Sequence, residues 1–170
     1  MIQAERTGQG DLVPVHGGLA APVDLRVSLK QRKRFLAEAE RLPSVRVTRA
    51  DLSTVYRLAD GALSPLVGPM GAEAWHRALE EEVFLHQGRR WAWTIPLSFP
   101  LADDEARALM PGAAVAIRSE EGEIVAVVED LEIFAWDKQK YVKSVYGTDR
   151  FDHPGGRAVE SDPRTKRSVP

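Results

Sequence analysis

The sequence predicts an α+β domain in which short strands curl into a small β-barrel flanked by helices. Three observations carry that expectation. Helical periodicity is confined to short segments closed by Pro or Gly; between them lie period-two or uniformly apolar runs of strand length; and the two kinds of segment are interleaved, with the strands mostly arranged as hairpins. With 170 residues the chain has the usual size of one domain and can bury roughly 70% of its unfolded surface without disulfide staples.

Residues 1–24 carry scattered Gly, Pro and Gln with little periodicity and are expected to form an extended lead-in. The domain proper is expected over 25–157. Its first helix is "SLKQRKRFLAEAERLP", with Ser28 as N-cap, a stripe of Leu29, Phe35, Leu36, Ala39 and Leu42, and Pro43 as the stop. "SVRVT" alternates as a strand. In "TRADLSTVYRLADG", Thr48 and Asp51 have capping-box spacing, Leu52, Val55, Tyr56 and Ala59 line one face, and Gly61 supplies a left-handed residue past the end.

The helix "GAEAWHRALEEE" points Trp75, Ala78 and Leu79 inward. The period then changes to strands: "EVFL", a turn at "HQGRR", and "WAWTIPLSFPL", whose Pro96 and Pro100 suit an edge or bulged strand. "ADDEARALMPG" is a short acidic-led helix. "AAVAIRSEEGEIVAVVEDLEIFAW" reads as one hairpin whose second strand runs on to Trp136, and "DKQKYVKSVYG" as a last helix ending at Gly147. Residues 148–170 have Gly, Pro and charge but almost no apolar pattern, and 158–170 are expected to be a linker or tail.

Composition excludes several classes of function. Lys plus Arg number 23 against 25 Asp plus Glu, so the strongly basic balance of a dedicated nucleic-acid binder is missing. There is no cysteine, hence no disulfide, thiolate metal site or cysteine nucleophile. His16, His76, His86 and His153 include no pair at helical zinc spacing, so no metal site is expected. No apolar run approaches the ~20 residues of a membrane span and no leader-like core follows the first charges, which together suggest a cytoplasmic protein.

Catalytic patterns are equally scarce. "HGG" at His16, Gly17 and Gly18 has no nucleophile elbow to accompany it, and reads as a tight turn. No Walker or Gly-x-Gly-x-x-Gly loop occurs. "DDE" at Asp103 to Glu105 suits the first turn of a helix, where negative charge meets the positive end of the dipole, and Glu80 to Glu82 a solvated face. "KQRKR", Lys30 to Arg34, spreads its charges around a helix, while Trp75, Trp91, Trp93 and Trp136 lie in apolar periodic segments and are expected in the core.

"LVPVHGG", "FLAEAERLPSVRVTRADLSTVYRLADGALSPLVGPMG", "WTIPLSF" followed by "DDEARALMPGAAVAIRSEEGEIVAVVED", and "VYGTDRFDHPGG" resemble, in order and spacing, the N-terminal PUA-like domain of ATP sulfurylase (sulfate adenylyltransferase) over residues 12–157. The residues carrying the likeness are His16, Gly17, Gly18, Gly61, Ser64, Pro65, Leu66, Gly68, Met70, His153, Pro154 and Gly155. The sequence departs from the family at Leu63 and Pro69, where aromatics are usual, and at Val15, where proline is common.

The resemblance implies a PUA-like fold and a place in sulfate activation, the reaction of ATP and sulfate to adenosine 5'-phosphosulfate and pyrophosphate. In the family that chemistry belongs to a second, nucleotidyltransferase domain carrying Gln-x-Arg-Asn-Pro, His-x-x-His and Gly-Arg-Asp segments, none of which occurs in these residues. The chain is therefore expected to be inactive alone, to bind no cofactor, to contribute no catalytic, cofactor-binding or metal residue, and to support a catalytic domain in cis or in trans. Two rivals stand beside this: a stand-alone PUA-like module binding RNA through "KQRKR", Arg89 and Arg90, which the charge balance disfavours, and an assembly domain whose apolar loop "GALSPLVGPM" forms a contact between copies.

Overall fold

The computed structural model describes residues 14–164 and the backbone of 166–169. The lead-in is irregular apart from a 3₁₀ turn at His16–Gly18; the part of it before residue 14 lies outside the described residues. Three helices then precede most of the strands: α1 (Leu29–Ala39), α2 (Arg49–Ala59) and α3 (Ala72–Glu81), with β1 (Ser44–Arg46) between the first two. The hairpin β2 (Val83–His86) and β3 (Arg89–Ala92) follows, then β4 (Phe99–Leu101), α4 (Asp103–Ala108), β5 (Val115–Arg118), β6 (Ile124–Val128) and β7 (Glu132–Ala135). The chain closes with α5 (Lys138–Tyr146), α6 (Pro154–Ser161) and β8 (Lys166–Val169).

The architecture is α+β, with the strands in three small sheets ordered β1-β5-β6, β2-β3 and β4-β8-β7. No single ring of hydrogen bonds joins these sheets among the described residues. β1 runs parallel to β5, pairing Val45 with Ile117; the other pairings are antiparallel.

Local signals account for most boundaries. The Thr48 hydroxyl accepts from the Asp51 N–H (3.3 Å) while the Asp51 carboxylate accepts from the Thr48 N–H (3.3 Å), closing the capping box at the start of α2. Gln87 and Gly88 both have positive φ, as the tight β2-β3 turn requires. Ser28 is the N-cap of α1, but its hydroxyl donates to Gln31 Oε1 (2.7 Å) rather than accepting from a helix N–H.

Four expectations need correction. Leu29 and Tyr56, placed on inward stripes, are exposed; Ala39 is the buried residue of α1, and Val55 and Leu58 are those of α2. The long strand towards Trp136 is two strands in different sheets, because Asp130 turns at φ 54 and the N–H of Leu131 donates to Ala113 O. "WAWTIPLSFPL" likewise splits into β3 and β4 around an irregular stretch. The linker or tail expected over 158–170 instead completes α6 and supplies β8, the central strand of its sheet.

The apolar residues gather in two clusters. One joins Val45 and Val47, Val55, Phe99, Leu101, Val115 and Ile117, contributed by α2, β4 and the β1-β5-β6 sheet. The other surrounds Trp75, fully buried, with Leu66, Met70, Leu79 and Trp136; Trp75 stacks on Tyr141 (6.0 Å, 18°) and meets Trp136 edge-on (6.5 Å). Leu66 and Met70 belong to the apolar loop, so that loop is largely part of its own domain's core.

Candidate functional site

The structure brings two of the family-like segments together. Gly17, at φ 83 in the 3₁₀ turn, lies so close to Pro65 that a Cβ there would stand 2.6 Å from the proline ring. Glycine is required twice at this position, for the positive φ and for the approach. Ser64 is buried, accepts from the Val23 N–H (2.8 Å) and donates to the Gly61 carbonyl (2.7 Å), so a single hydroxyl ties the lead-in to the loop. The peptide between Ser64 and Pro65 is cis. Leu66 and Met70 point inward, and the Met70 N–H donates to Leu97 O (2.7 Å); Gly68 is half-buried, and Val67 faces outward.

His16 is exposed at the edge of the β2-β3 hairpin. Its Nε2 lies 3.0 Å from Ala92 O, and its ring meets Trp91 edge-on at 5.4 Å and Trp93 at 6.0 Å. Gly18 lies against Trp91, and the Arg89 guanidinium sits 5.1 Å from the ring centre of the same tryptophan. Trp91 and Trp93 are therefore half-buried supports of the turn, whereas Trp75 and Trp136 are core residues as expected.

The third segment sits elsewhere. His153 caps α6, its Nδ1 accepting from the Gly155 N–H (3.2 Å), and Pro154 occupies the first turn. A Cβ on Gly155 would collide with the Tyr146 ring, which also lies 5.0 Å from the His153 ring. Eleven of the twelve signature positions thus have packing, capping or turn roles that the geometry makes explicit; Gly68, beside the exposed Val67, is the exception.

Several charged residues pair with one another. Arg34 pairs with Glu38 (2.7 Å), Arg90 with Glu81 (2.9 Å), and Glu80 with Lys140. The Glu105 carboxylate accepts from the Ala102 N–H (2.8 Å) in the first turn of α4, as its position suggests. Bidentate bonds from Arg26 hold the Asp24 carboxyl down at about 2. Among the described residues no group of three or more His, Asp or Glu could hold a metal ion, and no helix is long and apolar enough to cross a membrane.

The best-defined charged cluster leads into β8. Arg164 donates to both oxygens of Asp162 (2.8 and 2.7 Å) and lies 3.6 Å from Asp51, while the Lys138 ammonium donates to the Asp162 carbonyl. Burial pushes the Asp162 carboxyl up, but the Arg164 hydrogen bonds outweigh it and hold the group below the ordinary carboxylate range. A depressed folded pKa contributes stability above the unfolded value, near 4, and loses it as pH falls through the folded value. The thermal midpoint is expected to drop on acidification through and below that range; Asp162→Asn should lower the midpoint at pH 7 by the equivalent of about 1 kcal/mol and flatten its acid dependence. Unchanged acid dependence in thermal melts of the variant would remove Asp162 from the account.

The family model for the PUA-like domain matches residues 13–165. The chain belongs to the PUA-like domain family. Its curated relatives include a sulfate adenylyltransferase of Pyropia yezoensis, 43% identical over 152 residues that make up 89% of this chain and 35% of that protein. Another, of Synechococcus sp. (strain JA-3-3Ab), is 32% identical over 153 residues, 90% of this chain and 38% of that protein. The PUA-like chain therefore spans little more than a third of these relatives. A solved structure of a hexameric APS kinase from Thiobacillus denitrificans shares the fold at TM-score 0.64 and 22% identity, over 93% of this chain and 26% of that one.

Proposed function

We propose that this PUA-like domain is the N-terminal, non-catalytic part of a cytoplasmic sulfate adenylyltransferase and supports a nucleotidyltransferase domain that turns ATP and sulfate into adenosine 5'-phosphosulfate and pyrophosphate. The observation that carries the reading is the 43% identity maintained across 152 residues of a sulfate adenylyltransferase, about a third of that enzyme. The geometry is compatible with it: the family-like residues are occupied in turns, caps and close backbone contacts. Displacing pyrophosphate with sulfate, a poor nucleophile, requires positioned cationic and N–H donors around the α-phosphate. The reading assigns that constellation to the catalytic domain, and assigns this domain no cofactor. Its partner is the catalytic domain, in cis or in trans.

A domain exchange tests this. Replacing the matching 152 residues of the Pyropia enzyme with this chain should give a folded chimera with sulfate-dependent pyrophosphate release, while the 170-residue chain alone should give none above background. Sulfate-dependent release by the chain alone, persisting through repeated purification, would overturn the division of labour. A chimera that folds but has lost activity would overturn the supporting role.

A further inference from the structure

A groove of about 750 Å³ lies between α1, α2, β6 and the outward-facing part of the "GALSPLVGPM" loop. α1 packs against β6, whose register with β5 shifts at Ile117 and Arg118. The groove's floor reaches Val55, Phe99 and Ile117 of the first core cluster. Leu25, Val27, Tyr56 and Val67, four of the nine large apolar side chains exposed among the described residues, all line it, from 41% exposed at Val27 to 72% at Val67. Single exposed apolar residues are ordinary on a protein surface, but four gathered around one groove that opens onto the core mark an interaction surface.

β8 leads towards this groove. Lys166 pairs with Leu101 and Ala135, Ser168 with Phe99, and Val169 with Glu132, so the strand runs from Leu101 towards Phe99 and from Ala135 towards Glu132. Its direction continues towards Leu97 and Asp130. The Leu97 carbonyl accepts from the Met70 N–H (2.7 Å) and the Glu132 carboxylate from the Ala72 N–H (3.1 Å); Pro69 and Glu129, next to these residues, line the groove. A domain joined after β8 therefore begins beside the loop end of the groove.

The rim charges bear on the class of occupant. Arg26 and Arg32 line the groove together with Glu123 and Glu129. A track for a polyanion carries one sign, whereas an apolar centre with a polar rim of both signs is the anatomy of a contact between protein surfaces. We infer that the nucleotidyltransferase domain assigned above as the partner docks an apolar face into this groove, covering Val27 and Val67, with Arg32 and Glu129, which have no ion-pair partner among the described residues, in the polar rim. The inference rests on that assignment.

The test is thiol labelling. The chain has no cysteine, so Val67→Cys in the loop, Val27→Cys before α1 and Leu85→Cys on the β2-β3 hairpin, outside the groove, each introduce a single exposed thiol. Labelling of each variant by N-ethylmaleimide, read at its own peptide by mass spectrometry, is compared between the 170-residue chain and the Pyropia chimera. Val67→Cys and Val27→Cys should label at least about tenfold more slowly in the chimera than in the chain, and Leu85→Cys at the same rate in both. Unchanged rates at both groove positions would overturn the inference. So would slowing at Val67→Cys without Val27→Cys, which is shielding by the connecting segment alone, and slow labelling of the isolated chain that is relieved by dilution, which makes a second copy the occupant. Activity separates this inference from the assignment beneath it: an inactive chimera with both groove thiols protected removes the supporting role and supports the docking surface, while an active chimera with both thiols unprotected removes the surface alone.

Discussion

A chain ending at Arg164 is expected to lose its cooperative thermal transition and to bind a hydrophobic dye at room temperature. β8 lies between β4 and β7, with three registered residue pairs on one side and four on the other. It is the strand partner of both, so its removal opens two edges at once. β4 carries Phe99 and Leu101, 3% and 0% exposed, and among the described residues β8 is the strand that pairs with it. Exposure of two such side chains costs up to about 1.5–3 kcal/mol each, and the lost ladder bonds about 0.5–1.5 kcal/mol apiece. The sum exceeds ~5 kcal/mol, the lower end of what a domain has in hand. Circular dichroism melts and dye fluorescence check it; a peptide of residues 163–170 added back should restore the transition. A truncated chain melting within about 2 °C of the full one would show that β8 is dispensable.

That strand was also the least legible part of the sequence. "KRSV" has no alternation, and what makes it a strand is pairing on both sides with segments 30 or more residues earlier, a non-local cause with no local trace. α6 was hidden for a different reason. "PGGRAVES" opens with Pro and two glycines, poor helix formers in sequence terms, yet Gly155 and Gly156 are what allow the helix to lie against Tyr146 and the Arg150 carbonyl. The β6-β7 break depended on one non-glycine residue, Asp130, in a left-handed conformation.

By contrast, features with local causes were readable: the Thr48–Asp51 capping box, the inward face of α3, the left-handed Gly61 and Gly147 that follow their helices, and the acidic first turn of α4. The site was readable only in part. The signature segments could be named, but not that Gly17 and Pro65 meet across 48 residues, because a glycine chosen for what it lacks leaves no side-chain pattern.

Gly61→Val is expected to destabilise the domain by on the order of 4 kcal/mol, or roughly 8–16 °C in thermal midpoint for a chain of this size. Gly61 has φ 83, where a β-branched residue is strained, and the buried position leaves no room: a Cβ would collide with the Val23 carbonyl and stand 2.8 Å from Pro22 Cβ. The obstruction is backbone and a proline ring, neither of which can swing aside as a flexible side chain could. Displacing Val23 would also break the bond from its N–H to the Ser64 hydroxyl, and with it the Ser64 link to the Gly61 carbonyl. The damage should therefore reach Pro65 and its contact with Gly17, which is why the effect should exceed ordinary αL strain of about 1–3 kcal/mol. Ala62→Val is the control one residue on, at an exposed position with ordinary φ, and should stay within about 0.5 kcal/mol of the parent. Similar melting of the two variants would mean that the loop yields to a side chain at Gly61, and that its apolar residues hold it less firmly than their burial implies.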